Sequence, residues 1–70
     1  MNTQTRKKAR RFLAELNENV DAWYAGRISY ETFTGRQRET WDAVCAAGAA
    51  VREVLLRMLR EQLPPVQRAR

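Results

Sequence analysis

Seventy residues, 44% of them hydrophobic, make one small domain with room for only a modest core. The chain carries a net charge of +5, no histidine and a single cysteine. That composition removes the commonest general base and metal ligand, a disulfide framework and a thiolate zinc site. With no Gly-rich phosphate loop or nucleophile elbow either, neither an enzyme nor a cofactor is expected.

The positive charge is concentrated at the termini. Arg6, Lys7, Lys8, Arg10 and Arg11 precede the first acidic residue, and Arg68 and Arg70 stand at the other end. Between residues 12 and 67 six arginines face eight carboxylates, a balance of −2. Any anionic partner therefore meets the ends of the chain. The amino terminus runs into these charges without the apolar core of a signal peptide, so a cytoplasmic protein is expected. The longest apolar-rich run, residues 43–51, is far below the roughly 18 residues of a spanning helix, and no membrane segment is expected.

From about residue 5 to 25 the apolar positions Ala9, Leu13, Leu16, Val20 and Trp23 recur at spacings of 4, 3, 4 and 3, with Phe12 and Tyr24 widening the stripe. This is one face of an α-helix. A turn over residues 26–29 follows. Gly26 can take the positive φ that ends a helix, and Ser29 stands at an N-cap with Glu31 in the first turn behind it. Counting from Ser29, Ile28 and Phe33 hold the spacing of a hydrophobic staple. A short connection of this kind makes the flanking helices antiparallel neighbours.

Beyond the turn, Phe33, Gln37, Trp41, Val44, Gly48, Val51, Leu55, Met58 and Gln62 continue at spacings of three and four, close to an unbroken heptad stripe. A helix from about residue 30 to 63 is the expectation. Pro64 and Pro65 stop it, and 64–70 form a tail. Thr34 and Gln37 offer a second capping box, which would delay the start of the helix. Gly48 offers a break, yet the alanines around it supply no Ser, Asp, Asn or Pro to cap a restart. Continuity is therefore expected through Gly48.

Those lengths yield an all-α helical hairpin with a long second helix. The first helix would span roughly 30 Å and the second roughly 50 Å at 1.5 Å per residue. Val51, Val54, Leu55, Leu56, Met58, Leu59 and Leu63 would then overhang, and pairing two chains through this end as a dimeric bundle would recover their burial. The alternative is a monomeric three-helix bundle broken at Gly48. Phe12, Trp23, Phe33 and Trp41 read as core side chains, and Cys45, beside the seam, as a small buried hydrophobe.

Two surfaces are candidates for function. Tyr24, Arg27 and Tyr30 flank the turn as a protein-binding patch, since Tyr and Arg are favoured hot-spot residues. The cluster from Arg6 to Arg11 would approach the level of Arg52, and together with Arg57 and Arg60 it could make a basic pole for phosphates, although no strong helix-turn-helix signature offers a way to read bases. The leading expectation is a small non-enzymatic helical protein that acts by binding another protein. In size and basicity it resembles the inhibitors and regulators of host machinery that phages and plasmids encode. The alternative is a basic nucleic-acid-binding protein that contacts phosphates through its terminal Arg/Lys cluster.

The segment Gly26-Arg27-Ile28-Ser29-Tyr30-Glu31-Thr32-Phe33 resembles the centre of the SHOCT family of short helical-hairpin domains, which place Gly, Ile, a capping Ser or Thr, Glu and Phe at this spacing. The resemblance covers about a third of the chain and implies a small oligomerisation or interaction unit. After Phe33 the chain departs from that pattern, with Thr34-Gly35-Arg36-Gln37-Arg38 in place of Lys and Leu residues. No functional residue carries over.

Overall fold

The computed structural model describes residues 3–62, and all its elements there are helices: α1 (Thr3–Tyr24), α2 (Tyr30–Ala47) and α3 (Ala49–Gln62). The proline stop at Pro64 and Pro65, the tail behind it, Leu63, Arg68 and Arg70 lie outside the described residues.

The stop after α1 is built from backbone groups. Gly26 has φ +76, its N–H donates to the carbonyl of Trp23 at 3.0 Å, and the N–H of Arg27 donates to that of Ala22 at 2.9 Å. This pair of bonds is a Schellman motif, and it satisfies two carbonyls that the last turn would otherwise orphan. The start of α2 follows at once. Ser29 is extended, with φ −74 and ψ 165, and its hydroxyl accepts the N–H of Thr32 at 3.1 Å. Glu31 lies in the first turn, where the dipole favours it. Thr34 does not act as a second cap: it sits inside α2, and its hydroxyl donates to the carbonyl of Glu31 at 3.0 Å.

The expected continuous helix over 30–63 is corrected at Gly48. This residue takes φ +111 and ψ 165, a region essentially reserved for glycine. Its N–H donates to the carbonyl of Cys45, and its carbonyl accepts the N–H of Arg52, each at 3.2 Å. Gly48 thus closes α2 and opens α3 with the same peptide units. No capping side chain is needed, because glycine at an N-cap costs only a few tenths of a kcal/mol relative to the best caps.

The break lets α3 fold back on α1. Asn19 donates to Gln37 at 2.6 Å across α1 and α2, and Trp23 meets Phe33, so these two helices run antiparallel. Arg6 lies beside Val54 and Arg57, while Asn17 donates to Gln62 at 3.0 Å, so α3 advances in the same general direction as α1. α1 packs extensively against both other helices, whereas α2 and α3 touch each other least. The result is flat, 37 × 32 × 16 Å, with a radius of gyration of 13.2 Å against the about 11 Å of a rounded domain of this length. A layer this thin buries few side chains completely. Its centre is Ala9, Leu16, Val44, Val51, Val54 and Leu55, with Phe12, Leu13, Trp41, Met58 and Leu59 packed around it.

Candidate functional site: the two ends of α1

At the C-terminal end of α1, four aromatic rings form a tier over the turn. Trp23 is stacked between Tyr24, at 5.2 Å and 18°, and Phe33, at 4.7 Å and 16°. Tyr30 closes on Trp23 at 5.4 Å and on Phe33 at 6.1 Å, tilted against both. Trp23 and Phe33 are half-buried, but Tyr24 is 79% and Tyr30 61% exposed. The outer rings are thus held by an inner pair while their free faces meet solvent. Offset and tilted pairs of this kind contribute about 0.5–1.5 kcal/mol beyond area burial. Arg27 is exposed in the same turn. With Asp21 and Glu31 exposed close by in the sequence, the surroundings are nearly neutral. Trp23 and Phe33, expected in the core, are only partly there. Both are half-buried and serve as the backing of the patch.

At the other end, Arg6, Lys7, Lys8, Arg10 and Arg11 are all exposed on the early turns of α1. The helix has no acidic residue in its first turn, and no ion pair joins these cations to a described carboxylate. Of the three arginines on α3, all exposed, Arg57 meets Arg6 in a shallow groove of about 270 Å³ lined also by Val54, Met58 and Glu61. Arg52 and Arg60 lie outside that groove.

The side chains expected to join two chains are mostly occupied within one. Val51 and Leu55 are buried in the core, and Met58 and Leu59 are half-buried against it. Only Leu56, at 44%, is exposed, and Leu63 lies outside the described residues. Among the described residues the overhanging face is thus covered except at Leu56, because α3 packs on α1. Cys45 is corrected as well: it is exposed on α2, with the seam taken by Val44 and Trp41.

Among the described residues no group of three His, Cys, Asp or Glu side chains is arranged to hold a metal ion. No described helix is long and apolar enough to cross a membrane. No protein-family model matches the chain, and no curated protein or solved structure is similar to it. Of the residues that carry the resemblance over 26–33, Gly26 and Ser29 act as helix caps, Glu31 lies in the first turn of α2 and Phe33 stacks on Trp23.

Proposed function

We propose that this chain is a small non-enzymatic interaction protein that engages a protein partner through the turn between α1 and α2. The observation that carries this reading is the pair of exposed tyrosines on a stacked aromatic support. Tyrosine offers a large amphipathic contact with few rotatable bonds, so immobilising it costs little conformational entropy. Pre-stacking on Trp23 lowers that cost further, and Arg27 adds a residue type enriched among binding hot spots. A regulator carried on a mobile genetic element would fit a small basic domain with such a surface.

Site-specific photocrosslinking tests this reading. A benzophenone amino acid replacing Tyr24 or Tyr30 in expressing cells is expected to yield one discrete protein adduct. The same probe at Asp42, exposed on α2 away from the turn, is expected to yield none. A smear common to all positions, or no adduct from the turn, would reject it.

A second reading is supported by the five exposed cations, which pair with no described carboxylate: sequence-independent contact with nucleic-acid phosphates. Five phosphate contacts on duplex DNA would weaken binding about 500-fold between 50 and 200 mM salt, from a slope of about −0.9 per contact. Fluorescence anisotropy with labelled duplex DNA and single-stranded RNA, beside a variant with those five cations neutralised, measures this directly.

A further inference from the structure

The groove between α1 and α3 has a composition that neither the turn nor the charge count explains. Its lining combines Arg6, Arg57 and Glu61 with the half-buried Met58 and the small exposed edge of Val54, which is otherwise part of the core. At about 270 Å³ it lies just under the range typical of small-molecule sites, roughly 300–1,000 Å³, and suits one or two side chains. We propose that it is a second docking site, which takes an acidic amphipathic helix from a partner protein. An aliphatic side chain would rest on Val54 and Met58, and a carboxylate one helical turn away would meet Arg6 and Arg57.

Three features support that occupant. The two guanidiniums are exposed and joined to no described carboxylate, so they remain available to a carboxylate, which a guanidinium binds bidentately. Arg10 follows Arg6 by four residues, so it extends the same edge of α1 by a turn and lengthens the match to a helical partner. The apolar part of the lining separates protein from nucleic acid. A phosphodiester backbone brings no aliphatic group to cover Val54 and Met58, whereas a helix with acid and aliphatic positions three or four apart covers both surfaces at once. Methionine, flexible and polarisable, is well suited to fit partners of differing shape.

The test is a selection from a displayed library of random 16-residue peptides, with the intact chain as target. The library is first depleted on an Arg6→Glu/Arg57→Glu variant whose helicity is confirmed by circular dichroism. Peptides that survive are expected to carry Asp or Glu three or four positions from Leu, Ile or Met. They are expected to bind the variant at least tenfold more weakly, and to shift the amide resonances of Val54, Arg57 and Met58. Replacing their aliphatic residue with Ser should also cost at least tenfold. The Tyr24→Ala/Tyr30→Ala chain should bind them unchanged, which separates this site from the turn. No enrichment, enrichment without acids, or acid-rich peptides indifferent to loss of the aliphatic residue would overturn the proposal. Duplex DNA that binds more tightly than every selected peptide, and is lost in the same Arg variant, would reassign the groove to phosphate.

Discussion

The two ends of α1 present different physical problems. At the turn, every stabilising group comes from within about a dozen residues: the Schellman bonds of Gly26 and Arg27, the hydroxyl of Ser29, and the rings of Trp23, Tyr24, Tyr30 and Phe33. At the basic end, Arg6 meets Arg57 and Val54 only because the chain breaks at Gly48, some forty residues on, and returns. A surface made of neighbours survives small changes elsewhere. A surface made of distant segments depends on the core between them.

The most damaging way to expose that dependence is Leu55→Ala. Leu55 is completely buried among residues of all three helices, and its truncation is expected to cost about 2–5 kcal/mol. In a domain this small that is a large share of the total, so denaturant titration should show α3 lost or the whole chain unfolded.

Gly48→Ala should cost about 1–3 kcal/mol, from strain at φ +111 alone, since a Cβ there would meet nothing within 4 Å. It also makes the continuous helix the easier conformation. Sedimentation is expected to show the parent chain near one chain mass and the variant shifting towards twice that, as Val51, Val54 and Leu55 become uncovered. A monomeric variant of unchanged stability would mean that the break does not depend on glycine.

Ser29→Ala removes the side-chain cap of α2 and should cost about 1 kcal/mol, with the groove at the far end unchanged by amide chemical shifts. The smallest effect is expected from Lys7→Glu. Lys7 and Arg11 are like charges four residues apart on α1, so reversal turns that repulsion into an ion pair and should stabilise the fold by about 0.2–0.5 kcal/mol, and less at high salt. Stability would then rise while affinity for any anionic partner of that end falls.

The difference between the ends is also the difference between what could and could not be read in advance. The stripe of α1, its stop at Gly26 and the cap at Ser29 were all legible, because each follows from helical periodicity or from a hydrogen bond a few residues long. Gly48 was not. A glycine flanked by alanines is compatible with a helix interior at a cost of about 1 kcal/mol and with a break at little cost. Local propensity leaves the two nearly balanced. Cys45 and Leu55 followed from the same choice, since the continuous stripe placed one beside a seam and left the other beyond the reach of α1.

Short-range hydrogen bonds, side-chain period and charge make the helical class, the turn between α1 and α2 and the separation of basic termini from a slightly acidic body readable from residue order alone. That α2 and α3 are two helices, that Val51 and Leu55 are core, and that Arg6 shares a groove with Arg57 follow instead from packing between distant segments. The physical reason is that the apolar face of α3 gains about 1.5–3 kcal/mol for each large side chain it buries. Packing that face on α1 outweighs the loss of a few helical hydrogen bonds at a residue whose backbone can turn without strain.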